Sequence, residues 1–313
     1  MSRRRRGVEG PDGIAIVNKP AGWTSHDVVA KSRGILGTRK VGHAGTLDPD
    51  VTGVLVLGVG RATRLLRYVT GLGKRYEGTF VLGVETTTLD ASGDVIATHD
   101  MTAVTIDEVR RVAAERFTGP ILQIPPMVSA VKVEGRRLHE LARQGIEVAR
   151  EPRPVTVHSF QIDPLPPTDD GTPRFAMSVH CSSGTYIRTL VADLGTALGG
   201  GGHLESLRRT GVGSFGIDEA VPLAELTPEK LLGVSEAVRD LDHVQVDDEV
   251  ADRITHGARL ERDDLGLAPT ATGPWAVVQA DRTLLAVYED HGPGWVKPAV
   301  VVAAPRPNSN PHP

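Results

Sequence analysis

The chain has 313 residues, 40% of them hydrophobic, and a formal net charge of −4, so an ordinary globular protein of two domains is expected. No apolar run nears the length of a membrane span, no signal-like apolar segment follows the basic Ser2-Arg3-Arg4-Arg5-Arg6 stretch, and the single Cys181 excludes an internal disulfide or a cysteine metal cluster; a reducing cytoplasm is the expected home. Residues 1–155 carry 23 Lys and Arg against 17 Asp and Glu, whereas residues 156–313 carry 12 against 22, an asymmetry that suits a polyanion on the first half as well as an unevenly charged solvated surface.

In chain order, residues 1–12 read as a disordered basic start. Residues 14–18 (Ile14-Ala15-Ile16-Val17-Asn18) predict a buried strand, followed by the turn Lys19-Pro20-Ala21-Gly22. Thr24 or Ser25 can cap a helix running to about Arg33, where Gly34 and Gly37 are expected to break it. A glycine-rich, proline-locked loop then carries Asp48, with Gly42, Gly45 and Gly53 around it. Pro49 pushes Asp48 toward an extended backbone, so this acid is held stiffly where a large ligand can reach it. Residues 76–82 alternate like a strand, and Thr105-Ile106-Asp107-Glu108 is a capping box opening a helix that buries Val109, Val112 and Ala113.

Residues 125–153 read as an excursion from the core, with a helix expected at 137–144. Residues 155–162 and 174–181 predict two strands. Ile187, Leu190, Val191, Leu194 and Leu198 recur at helical spacing, ending at the glycines 199–202. Thr227-Pro228-Glu229 predicts another helix start, and Leu207 is read at a helical position. Strand-like runs at 275–279, 284–288 and 296–302 mark residues 245–303 as a small β-rich domain, before a disordered tail at 304–313.

Four segments combine: the Asp48 loop; Lys74-Arg75-Tyr76-Glu77-Gly78; Cys181-Ser182-Ser183-Gly184-Thr185-Tyr186-Ile187-Arg188; and His203-Leu204-Glu205-Ser206-Leu207-Arg208-Arg209-Thr210-Gly211. With Asn18-Lys19-Pro20-Ala21-Gly22, they resemble the bacterial tRNA pseudouridine synthase B family in order and spacing over roughly residues 13–215. The resemblance implies an α+β fold: a mixed, largely antiparallel sheet flanked by helices at 13–244, and a PUA-like β-rich module at 245–303. It also implies isomerisation of uridine 55 in the T-arm loop of tRNA, without cofactor or metal; a cytoplasmic monomer is expected, since nothing in the sequence demands more. Residues 125–153 resemble the family's insertion that closes over the T-arm, with His139 where a tyrosine is usual.

On the residues themselves, making and breaking a glycosidic bond needs a nucleophile that can also leave, and a carboxylate does both. A free Asp is protonated in about one molecule per thousand at pH 7. Arg188 is the expected partner, because arginine pairs bidentately with carboxylates and would hold Asp48 still more firmly ionised. Tyr76 is expected to stack on the flipped base and to handle a proton there. The resemblance implies that Lys19, His43 and Leu207 support the base pocket, and Tyr186, Arg64, Lys74, Arg136 and Arg208 are expected to contact substrate. Taken singly, Asp48 fits an Asx turn and Arg188 a surface helix arginine; the matched set favours the site.

Two other classes were weighed. Asp48-Pro49-Asp50-Val51-Thr52 fits the D-x-D-x-T pattern of aspartyl phosphatases, but the apolar strand that motif needs directly before it is missing. A silent RNA-binding protein fits the charge asymmetry but leaves the full set of candidate catalytic residues without a purpose.

Overall fold

The computed structural model describes residues 10–127, 132–133, 136–137, 144, 146 and 148–303. The predicted helix at 137–144, the side chain of Arg136 and both chain ends lie outside the described residues. The fold is α+β. Its body is a ten-stranded sheet, ordered Val221–Pro222, Gly13–Lys19, Thr52–Val59, Gly202–Val212, Lys74–Leu82, Arg174–Cys181, Arg153–Leu165 and Gly119–Gln123. Val41–Ala44 adds to Thr52–Val59, and Phe215–Gly216 adds to Gly202–Val212. Most pairs are antiparallel, but Thr52–Val59 and Gly202–Val212 run parallel at a central seam, where Arg208 faces Thr52 and Arg209 faces Gly53.

Burial explains the texture of the sequence. Leu55 and Leu57 pack with Val28, Val29 and Leu36 of the helix Ser25–Leu36, while Val54 and Val56 pack with Leu65, Leu66 and Val69. A strand covered on both faces reads as a continuous apolar run, which is what residues 54–57 show. Ile187–Ala197 buries Ile187, Leu190, Val191 and Leu194 as their spacing predicts. Thr24 and Asp27 cap Ser25–Leu36 reciprocally, at 3.1 and 2.9 Å. That helix runs through Gly34 and stops only at Gly37, in the left-handed region.

Two expected elements change. Thr227-Pro228-Glu229 starts only the short 3-10 turn Pro228–Lys230, because Leu232 exchanges backbone hydrogen bonds with Ile14 at 2.8 and 3.0 Å and draws the chain into the sheet edge. Leu207 lies on a strand, not a helix: Gly202–Val212 pairs along the whole of Lys74–Leu82, and this pairing overrides the local helical spacing.

A second, five-stranded sheet follows, ordered Asp242–Gln245, Trp275–Val278, Leu284–Asp290, Trp295–Val301 and Leu260–Glu261. One face builds its own core with Trp275, Tyr288 and Ile254; Ala276, Val278 and Val287 join the core around Val54. Arg61, Arg64 and Arg67 stand three residues apart on one short helical stretch, so they share a face. Arg67 pairs with Glu289, Arg64 donates to the Val301 carbonyl at 3.0 Å, and Arg61 donates to Val302 at 3.3 Å and pairs with Asp12. Arg64, expected to contact substrate, is therefore engaged with Arg61 and Arg67 in holding the second sheet.

A contrasting pair of glycine substitutions tests the seam. Gly53 has φ of 101°, and a Cβ there would sit 2.2 Å from the Arg209 carbonyl. Gly53→Ala is expected to lose roughly 3 kcal/mol or more. Gly34→Ala, in the helix with open space around it, should gain about 0.5–1 kcal/mol. Thermal melts of the two variants should move in opposite directions.

Candidate active site

Asp48 is held through its two neighbours. Leu47 N–H donates to Ser25 Oγ at 2.9 Å, and Ser25 Oγ returns a bond to the Leu47 carbonyl at 3.2 Å. On the other side, the Pro49 carbonyl accepts from Lys19 Nζ at 2.7 Å and from Gly22 N–H at 3.0 Å. Lys19 Nζ also donates to the carbonyls of Pro20 and Trp23, at 2.9 and 2.6 Å, so one ammonium closes its own turn and fastens that turn to the loop. Lys19 is fully buried, and burial brings its pKa down to about 8, against the pull of Asp50 and Asp48.

Arg188 is the second residue of the helix Ile187–Ala197, whose start is set by Gln123. The Gln123 side chain accepts from Tyr186 N–H at 2.9 Å and donates to the Tyr186 carbonyl at 3.2 Å. Arg188 Nη2 lies 2.9 Å from Asp48 Oδ2, and its Nη1 lies 3.4 Å from Asp90 Oδ2 and donates to the Thr88 carbonyl at 2.9 Å. The Arg188 side chain is only 6% exposed, while that of Asp48 is 45% exposed. Asp90 arrives because its loop pairs with the central strand, with Ala91 N–H on the Leu204 carbonyl at 2.9 Å. Arg188 draws the Asp48 pKa down, as expected, but burial pushes the carboxyl above its usual range, helped by Asp90, and outweighs the arginine.

The carboxyl opens on a cavity of about 280 Å³ whose walls include Tyr76, Tyr186, Leu207 and Arg209. That is near the lower end of small-ligand pockets, roughly 300–1,000 Å³, and suits one base rather than several. Tyr76 is buried on Lys74–Leu82, and burial pushes its phenol up while Arg209 pulls it down. Leu207 and Arg209 share one face of Gly202–Val212. Arg208 alternates to the other, exposed face, beside Asn18, Lys19 and Pro20 and outside this cavity.

The remaining predicted residues are more dispersed. Lys74 lines the cavity wall, with its ammonium on the Thr70 and Leu72 carbonyls at 2.7 Å each. Arg64 lies at the junction of the two sheets. His43 sits outside the cavity with its ring edge-on to His26, 5.4 Å between centroids; burial and His26 keep its pKa low. The sequence reading passed over Ser25, Asp90, Gln123 and Arg209 as site residues. Arg209 was recoverable from its two-residue spacing to Leu207, had that segment been read as a strand.

Residues 33–187 match the TruB family pseudouridylate synthase (N terminal domain), and residues 188–244 match the tRNA pseudouridylate synthase B C-terminal domain. The tRNA pseudouridine synthase B of Arthrobacter sp. (strain FB24) is 46% identical over 297 residues, covering 93% of this chain and 96% of that protein. Its namesake from Streptomyces coelicolor is 47% identical over 287 residues, covering 90% and 94%. A chain in a solved Cbf5–Nop10–Gar1 complex shares the fold, with a TM-score of 0.71 and 28% identity over 90% of this chain and 79% of that one. The sheet, its central cavity and these likenesses define a pseudouridine synthase, an isomerase. The chain belongs to the TruB family of pseudouridylate synthases. Among the described residues, no helix is long and apolar enough to cross a membrane.

Lys19 gives a signed pH test. Its folded pKa of about 8 lies below the ordinary 10.5, so between those values the unfolded chain binds more protons and stability rises with pH. The stability advantage of wild type over Lys19→Met should therefore grow between pH 7.5 and pH 9.5, roughly the span over which the folded lysine loses its proton. Thermal melts of both proteins across that range measure it; a constant difference would contradict the burial of the charge.

Proposed function

We propose that this enzyme converts uridine 55 in the T-arm loop of tRNA to pseudouridine, with Asp48 as the nucleophile acting on a flipped-out base. tRNA pseudouridylation itself follows from the family and from relatives that match most of the chain. The observation that carries the finer reading is the Asp48–Arg188 pair, at 2.9 Å, opening on a base-sized cavity beside Tyr76.

Isomerisation breaks C1′–N1, turns the uracil and forms C1′–C5; the proton on C5 leaves and N1 gains one. Asp48 supplies the carboxylate that attacks and departs. Arg188 fixes its direction, and the hydrogen bonds on Leu47 and Pro49 hold the loop still, so little ordering is left for the moment of reaction. Tyr76 stacks on the base, contributing about 1–3 kcal/mol toward the few kcal/mol that unstacking costs. Leu207 supplies the apolar floor, and Lys19 supports the loop from behind. Exposed Arg39, Lys40 and Arg208 provide cations for phosphates, with residues 125–153 adding to the RNA contact. The enzyme works in the cytoplasm as a monomer, without cofactor or metal.

The test uses an unmodified tRNA transcript, with EDTA present, and mapping of pseudouridine. Product is expected at position 55 alone, and a transcript carrying cytidine there should give none. Asp48→Asn should abolish turnover while the tRNA Kd stays within a few-fold, because shape and phosphate contacts persist. Product at another uridine would overturn the site choice, and an active Asp48→Asn enzyme would overturn the nucleophile.

A further inference from the structure

Two cations at the cavity, Lys74 and Arg209, have no carboxylate partner among the described residues, and only the guanidinium keeps its charge whatever its burial. Arg209 is 1% exposed; its Nε donates to the Val54 carbonyl at 2.7 Å and its Nη2 to the Gly45 carbonyl at 3.1 Å. These two carbonyls flank the Asp48 loop, one before it and one after it. Arg209 is also the cross-strand partner of Tyr76, lies against the Tyr76 hydroxyl and shares the cavity wall with it. Gly45 has φ of 84°, a backbone conformation that favours glycine, and a Cβ there would be only at ordinary contact distance from the two cations, 3.5 Å from Arg209 Nη1 and 3.8 Å from Lys74 Cε.

A guanidinium does not shed its proton in a protein, so burial leaves it charged. Burying one without a carboxylate is costly, and a neutral side chain of similar bulk would fill the space at less expense. The rigid fork does what no neutral side chain can: it meets both carbonyls of the loop and brings its charge beside the phenol.

We propose that Arg209 is a positioning residue that ties the Tyr76 hydroxyl to the loop carrying Asp48, so that the two reactive side chains keep one geometry when a base enters. The inference rests on the roles proposed above for Asp48 and Tyr76. Its charge acts in the same direction on the phenol, opposing the burial that makes Tyr76 a weak acid. Loss of that charge should move any tyrosine-dependent feature of the rate to higher pH.

A double-mutant cycle on the full chain tests this, with single-turnover rates at saturating tRNA transcript and Kd measured separately. Arg209→Met should slow the chemical step about 100-fold or more, the lower end of what positioned acid–base groups contribute. The Kd should change by no more than about threefold, as expected for a residue with no phosphate contact. Arg209→Lys should recover part of the rate. In a Tyr76→Phe background, Arg209→Met should add no more than about twofold, because two residues acting through one contact are not additive. The same loss in both backgrounds, a normal rate in Arg209→Met, or an effect confined to Kd would each overturn the inference. Should Arg209→Met fail to fold by circular dichroism, Arg209→Lys enters the same cycle. A Tyr76→Phe enzyme of wild-type rate is the separate signature that the reading of Tyr76 itself has failed.

Discussion

The site turns on one guanidinium held between two carboxylates. Arg188 is nearly withdrawn from water, and a charge so placed is tolerated only when its hydrogen-bonding groups are met. Asp48, Asp90 and the Thr88 carbonyl meet them. They also offset an unfavourable position, since a cation in the first turn opposes the helix dipole. Two carboxylates around one guanidinium leave one net negative charge, and the half-buried carboxyl of Asp48 is the one that faces the cavity. The same crowding, added to burial, raises its pKa, so the carboxyl that faces the cavity is also less stabilised as an anion than a free aspartate.

Around that triad, positive charge does two kinds of work. Lys19 and Lys74 are buried with their ammonium groups on backbone carbonyls, and burial lowers both pKa values to about 8. Their first role is to hold turns in place. Arg209 spans the seam at which the two parallel strands meet, where Gly53 leaves room for the Arg209 backbone. Strands that carry no catalytic group thus set the distance between those that do. The second sheet is joined to the same framework: Arg67 and Tyr68 both reach Glu289, and their short helix ends at Thr70, whose carbonyl accepts from Lys74 and from Ser183.

Much of the local structure was legible before any coordinates. The capped helix at Ser25–Leu36, the helix Ile187–Ala197 and the strands at Gly13–Lys19, Lys74–Leu82 and Arg174–Cys181 follow from periodicity and caps, because their own side chains decide them. Misreadings fell where a distant partner decides. Pro228 begins a helix that Ile14 pulls straight. Leu207 sits at helical spacing in a segment that the neighbouring strand makes extended. Arg64 reads as a substrate contact until the second sheet is packed against it.

Residue types, their spacing and the family resemblance they carry together singled out the candidate groups: an aspartate locked by Pro49, an arginine at a strand-to-helix turn, and a tyrosine on a strand. Those choices depend on local chemistry, which a linear string carries. Tertiary structure alone decided which groups share a cavity and which way burial moves their pKa values, since burial and approach across the seam join residues more than a hundred positions apart. Asp48 therefore has a raised pKa despite its arginine, and Arg209 replaces its neighbour Arg208 at the pocket because alternation along a paired strand turns one inward and the other to solvent.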